Sequence, residues 1–325
     1  MLDLAAMDFP AAIHEALQRV AFFSESHALK GVLAAQRLRE RHPQLRRDFF
    51  DDAMGWLGTL ASPRVAGLLH RQVHCEQDLS ERRERALVSA GVFPMSYLAA
   101  TRWARRTGLE EMVGYYRRPA VARVGYLGHA FTIWCAFLEA LPHIHGEEDT
   151  LLFAERFAEL VASQLVSNDV VELDGKEPLD GPEIDEGVVL DACLRRPGFY
   201  AHALITLAYL HRHRALLSDG EWRYALARVR GMTATTHGEA AMDLAVPAPP
   251  SRAPYDETSA LDVVVTFLRR GPREVHTLTV ADAVPDLWRV AAPAQRAHLL
   301  EVLRVLTAWQ PERSASGERK LVPTA

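Results

Sequence analysis

The chain has 325 residues, 49% hydrophobic and 24% charged, with a formal net charge of −5. These proportions exclude a basic nucleic-acid clamp, an intrinsically disordered chain and a disulfide scaffold, and the length suits one large domain or two modest ones. Cys75, Cys135 and Cys193 lie far apart without Cys-x-x-Cys spacing, so no zinc-ribbon pattern exists and a reducing cytoplasm is the expected compartment.

The N-terminus, MLDLAAMDFP, lacks a basic n-region and does not read as a secretory signal. The longest uncharged stretch, Val124 to Leu138, contains His129 and falls short of the roughly 20 apolar residues of a membrane span. It reads as a buried core helix. Lys30, Lys176 and Lys320 are the only lysines, and this arginine bias hints at a high-GC bacterial source.

Along the chain, apolar residues recur at three- and four-residue spacing and no stretch has a convincing period of two. Ser26 reads as the cap of a helix running through Leu38 and ending before His42-Pro43. Gln44 to Leu60 reads as the next, and Pro63 opens a third that reaches about Cys75. Ser80, with Glu84 behind it, opens another that stops near Gly91, and Pro94 to Arg106 follows. Pro119 is expected to begin one long apolar helix ending at Leu141-Pro142. After the break at HIHGEEDT, the helical period resumes from Glu148 to Leu165.

Residues 167 to 184 read as a long polar connector. Pro197 to Leu217 is a strongly apolar helix, Asp219 caps Gly220 to Arg230, and Thr236 to Leu244 is a shorter element. PAPPSRAP at 247–254 is a proline-rich connector. Glu257 to Arg269, Arg273 to Val284 and Pro293 to Trp309 complete the helices. No repeat of fixed period is found. The reading is therefore all-α: a single large multi-helix domain over 1–310 with a cavity between helices, a connector at 247–254 that could divide it, and a flexible tail at 311–325.

The sequence has no glycine-rich phosphate loop, no Gly-x-Ser-x-Gly elbow, no His-Glu-x-x-His and no Rossmann fingerprint. Nine of its 14 histidines sort into two groups. His14, His42, His211, His213 and His298 sit among charged residues and read as solvated. His27, His129, His202 and His276 each interrupt an apolar stripe, where a buried imidazole needs partners for both nitrogens. Four separate core histidines would satisfy the pattern, as would a shared cavity between helices.

No Glu-x-x-His occurs, so the di-iron bundle pattern is missing, and no metal site is assigned. His70 and His74 are spaced to reach one ion, yet Arg71, Gln72 and Glu76 make theirs a surface face. Lys30, one turn after His27, reads either as a desolvated amine or as a snorkelling side chain. Tyr126, Trp134 and Tyr200, with Lys30, are the substrate-binding candidates.

Four stretches carry a resemblance: SESHALKGVLAAQRL at 24–38, RVGYLGHAF at 123–131, RPGFYAHALITLAYLHR at 196–212 and REVHTLTVADA at 273–283. Their histidines are distributed in a way that is similar to the questin oxidase-like family. The chain departs from it in having Ser26 before His27, where the family tends to have Asn, and in being short for the family. The resemblance implies an all-helical enzyme of secondary metabolism that acts on an aromatic polyketide-like molecule by oxidative, Baeyer–Villiger-type ring cleavage. It implicates NADPH, and it makes His27, His129, His202 and His276 the catalytic residues.

The alternatives are a cofactor-independent lyase or cyclase of natural-product biosynthesis and a non-catalytic helical partner of a biosynthetic complex. The expected partner is a small molecule, with neither nucleic acid nor membrane. Assembly into a homo-oligomer or with a partner protein is left open.

Overall fold

The computed structural model describes residues 8–19, 27–42, 67–75, 78–166, 179–235, 244–249, 257–270, 275–313 and 319–323. The fold is all-α, as the helical periodicity requires. Among the described residues no helix is long and apolar enough to cross a membrane. The chain groups into two compact units, the first drawn from 1–36, 54–123 and 129–177, the second from 37–53, 124–128 and 178–325. The division does not fall at the proline-rich connector.

In the first unit, α1 (Phe9–Leu17) starts where the Asp8 carboxylate accepts the Ala11 amide at 2.9 Å, with Pro10 in its first turn. The opening part of α2 (His27–Arg41) belongs here, and its proposed cap, Ser26, lies outside the described residues. α3 (Glu81–Ser89) packs on α4 (Met95–Thr107), which ends at Gly108 with φ 90°. α5 (Leu109–Tyr115), α6 (Arg117–Ala122), α7 (His129–Ala140) and α8 (Gly146–Leu160) follow.

The core of this unit is aromatic. Phe137 meets Phe153 at 5.1 Å and Phe157 at 5.4 Å between ring centroids, and Tyr116 lies 5.7 Å from Phe157. One buried ionic network sits beside it. Arg156 pairs with Glu155 and Glu159, and Glu155 also accepts from the backbone of Leu69 and His70 and bonds the His70 ring at 2.8 Å. Burial and the neighbouring Glu159 charge raise the pKa of Tyr97, whose hydroxyl donates to Glu159 at 2.9 Å.

Several expectations for this unit are corrected. His70 is buried, not on a surface face, because Glu155 offers its nitrogens a partner. Of the helix expected from Pro63 to Cys75, residues 63–66 lie outside the described residues, and the described part, 67–75, has only a short 3-10 turn, Leu69–Gln72. The long helix from Pro119 is broken between Ala122 and His129, since Leu127 and Gly128 take left-handed φ values of 58° and 65°. His14 is half-buried and hydrogen-bonded to Asp149. The Gln44 to Leu60 element lies outside the described residues.

The second unit holds the end of α2, the turn Tyr126–Gly128, and α9 (Glu186–Arg195), α10 (His202–Arg212), α11 (Asp219–Ala234), α12 (Glu257–Arg270), α13 (Val275–Val290) and α14 (Pro293–Ala308). Asp185 caps α9 by accepting the Val188 amide at 3.0 Å. The cap of α11 is Ser218, in a reciprocal capping box with Glu221, and not Asp219 as expected. The apolar helix expected from Pro197 starts only at His202, after a strained turn.

α10 packs on α13 around Asp282, which is fully buried. Arg37 reaches its carboxylate at 2.6 Å, Arg212 at 3.0 Å and Arg41 at 3.1 Å, while Arg212 also holds Asp286 at 2.6 Å. Burial alone would raise the Asp282 pKa, but Arg37, Arg212 and Arg41 outweigh it and hold the carboxyl below its usual range.

His298 is buried against the Val246 carbonyl at 3.0 Å, which corrects its solvated reading, and His42, His211 and His213 are half-buried. Residues 236–243 and 250–254 lie outside the described residues, as do 167–178 of the polar connector. The chain closes on an antiparallel hairpin, β1 (Trp309–Arg313) and β2 (Arg319–Pro323), in the segment read from sequence as tail.

Candidate active site

Two of the four predicted histidines meet in the second unit. His202, at the start of α10, and His276, at the start of α13, have ring centroids 4.6 Å apart. Both are buried. Phe199 lies parallel to His202, at 5.9 Å and 6°, and Tyr200 is stacked on His276 at 4.9 Å and 11°. The four rings form a closed cluster, since Phe199 and Tyr200 are themselves 4.5 Å apart, edge to face.

His202 Nδ1 is hydrogen-bonded to the Phe199 carbonyl. A carbonyl only accepts, so Nδ1 carries a proton, and in the neutral ring Nε2 carries the lone pair. That is the tautomer of a base or a metal ligand oriented by its backbone.

The turn that delivers His202 occurs twice. Gly198-Phe199-Tyr200-Ala201 precedes His202-Ala203, and Gly125-Tyr126-Leu127-Gly128 precedes His129-Ala130. Each turn is closed by the same hydrogen bond, Ala201 N to Gly198 O at 3.1 Å and Gly128 N to Gly125 O at 2.6 Å. Each has left-handed backbone at its last two positions, Tyr200 at φ 45° and Ala201 at 59° in one, Leu127 and Gly128 in the other. Leu127, Tyr200 and Ala201 are the only non-glycine residues with positive φ among the described residues. Left-handed backbone costs such residues about 1–2 kcal/mol each. Its concentration in two elbows that each end on a predicted site histidine fits the association of strain with function.

Gly128 has a second reason to be glycine. A Cβ there would land on Thr206 Oγ1, with Thr206 Cβ 2.9 Å away. Thr206 itself donates to the His202 carbonyl at 2.7 Å.

The other two histidines meet in the first unit. His27, at the start of α2, and His129, at the start of α7, have ring centroids 4.8 Å apart, edge to face. One turn on from His27 is Lys30, which is fully buried with no hydrogen-bond partner for Nζ among the described residues. Burial lowers its pKa to about 7. The snorkelling reading is therefore set aside. One turn on from His129, Thr132 Oγ1 is also buried without a partner among the described residues. Two unsatisfied polar groups, each three residues beyond a paired histidine, are a departure from the near-complete pairing of protein interiors.

A cavity of about 280 Å³ opens in the second unit. The first elbow contributes Gly125 and Leu127, the second contributes Phe199 and His202, and α11 contributes Arg228 and Met232. Such a volume suits a small molecule of two or three rings. Trp134 is placed elsewhere: it is buried in the first unit, with its indole donating to the Val113 carbonyl at 2.9 Å. The Tyr126 side chain is outside the described residues.

Sequence reasoning missed Arg228 and the doubling of the elbow, though the signal was present as GYLGHA and GFYAHA. Each histidine pair brings ligand nitrogens within 4.8 Å of each other. That spacing lets one ion be shared, although a pair by itself supplies fewer ligands than the four of a closed structural zinc site. No family model matches the chain, and neither any curated protein nor any solved structure matches it.

Proposed function

We propose that the chain is a tailoring enzyme of natural-product biosynthesis, an oxidoreductase acting on a largely apolar small molecule, with His27, His129, His202 and His276 as its proton-transfer groups. The observation that carries the reading is the second pair. A tautomer-fixed imidazole, backed by His276 and Tyr200, borders a cavity of small-molecule size. Within the first unit, Lys30 and Thr132, buried without a hydrogen-bond partner among the described residues, each follow a histidine of the first pair by three residues. Oxidative ring opening and NADPH as electron donor come from the questin oxidase-like resemblance.

The test is conversion of a panel of polyketide-like aromatic ketones with NADPH and air, followed by mass spectrometry. A fall in kcat of about 10²–10⁴-fold in His202→Gln and in His276→Gln, with KM little changed, is the expected result. Equal turnover in the wild type and all four histidine variants overturns the reading. Conversion that needs no NADPH moves the assignment to a lyase or cyclase.

The donor type favours a second reading, metal-assisted oxidation, because imidazole suits iron, copper and zinc. Elemental analysis decides it. Stoichiometric iron or copper, lost alike in His202→Ala and His276→Ala, supports the reading, and active protein without metal removes it.

A further inference from the structure

Arg228 gives the cavity a charge preference. Its Nε donates to the Val124 carbonyl at 3.3 Å, and Gly125 leaves space for the guanidinium, since a Cβ there would lie 2.8 Å from Nη2. The side chain is thus laid along the first elbow at the cavity wall. No carboxylate pairs with it among the described residues, whereas Arg37, Arg41, Arg212, Arg214, Arg223, Arg289 and Arg304 of the same unit each hold an aspartate or glutamate. The same cavity is lined by Phe199 and its parallel neighbour His202, by Leu127 and Met232, and by Thr235. Arg228 is itself exposed and brings one cation to a lining that is apolar apart from His202 and Thr235.

We infer that the cavity binds a flat, largely apolar molecule bearing an anionic oxygen group, and that Arg228 determines this specificity by taking the anion. The inference rests on the reading of the cavity as a substrate site and names the substrate class. The carboxylate or phenolate meets the guanidinium in a charge-assisted hydrogen bond, which turns the rest of the molecule toward Phe199 and His202. A neutral analogue of the same shape keeps the apolar contacts and loses the anchor.

The experiment measures equilibrium binding of 2-naphthoate and of its neutral counterpart, 2-naphthalenemethanol, to the full chain by calorimetry. The carboxylate is expected to bind on the order of tenfold more tightly, the worth of one hydrogen bond to a charged group, and the preference is expected to shrink with added salt. Arg228→Gln should bring the two affinities together, and Arg228→Lys should keep part of the difference. Ala227→Trp, which fills the cavity, should abolish binding of both. Equal affinities in the wild type, a preference that survives Arg228→Gln, binding that survives Ala227→Trp, or no binding of either compound overturns the inference. Because no turnover is read, loss of this result is distinct from failure of the histidine chemistry, which the glutamine variants report.

Discussion

The two histidine pairs are reached through the same kind of turn and stand in opposite electrostatic surroundings. His202 and His276 lie on helices that the Arg212 bridge to Asp282 and Asp286 ties together, with Arg37 and Arg41 completing the charge around Asp282. His27 and His129 have beside them a buried amine and a buried hydroxyl with no partner among the described residues. The first arrangement ties the helices together through paired opposite charges. The second carries an unpaid desolvation cost, which proteins retain where a group must react or bind. One neighbourhood is built to hold position and the other to meet something polar.

Removing the compensation should have the largest effect. Asp282→Ala removes the carboxylate that Arg37, Arg41 and Arg212 share, with Asp286 still holding Arg212, and should cost about 3–5 kcal/mol of unfolding free energy in urea titrations. The folded pKa of Asp282 lies below its ordinary value. Its stabilising contribution is therefore complete above about pH 4 and is lost as pH falls through the lower folded value. Asp282→Asn should flatten that acid limb.

The opposite sign is expected next. Lys30 titrates near 7 when folded and near 10.5 when unfolded, so the unfolded chain binds more protons between those values. Wild-type stability should rise with pH across that window. Lys30→Met should remove the slope and stabilise the protein at pH 7 by a few kcal/mol, at about 1.4 kcal/mol per pKa unit. A variant less stable than the wild type at pH 7 would mean that Nζ has a partner.

The elbows themselves supply the smaller effects. Gly128→Ala should destabilise by about 2–3 kcal/mol, from overpacking against Thr206 and from left-handed strain. Thr206→Ala in the same chain should recover only part, since Thr206 Cβ remains 2.9 Å from the new methyl. Ala201→Gly should go the other way and stabilise by up to about 1 kcal/mol, because glycine takes the left-handed conformation without the Cβ clash. A destabilised Ala201→Gly would show that the second elbow is not strained.

How much of this was legible in the sequence varies with the physics involved. Helix ends set by local chemistry were readable: Pro94, Gly108 and Pro293 mark boundaries that the backbone follows within a residue or two. The start points at Pro119 and Pro197 were misleading, because a run of apolar residues hides a left-handed turn that tertiary contacts impose. Thr206 forces glycine at 128, yet nothing within residues 119–141 announces Thr206. The histidines that pair, His27 with His129 and His202 with His276, stood out in the sequence because an imidazole on an apolar stripe is costly anywhere. His298 was missed for the same reason in reverse: its neighbours are polar, and the carbonyl that buries it belongs to Val246, far along the chain. The doubled elbow escaped a search for fixed-period repeats, since it occurs only twice.

Val246 bears on how the chain can be cut. Its amide donates to the Arg195 carbonyl at 2.9 Å and its carbonyl accepts from His298 at 3.0 Å. The residue just ahead of the segment that reads as a linker is thus a stitch, holding α9 on one side and α14 on the other. A protein divided there would not yield two self-sufficient halves. Each piece would keep one side of a broken seam, with a buried backbone or imidazole group facing water that its partner had excluded.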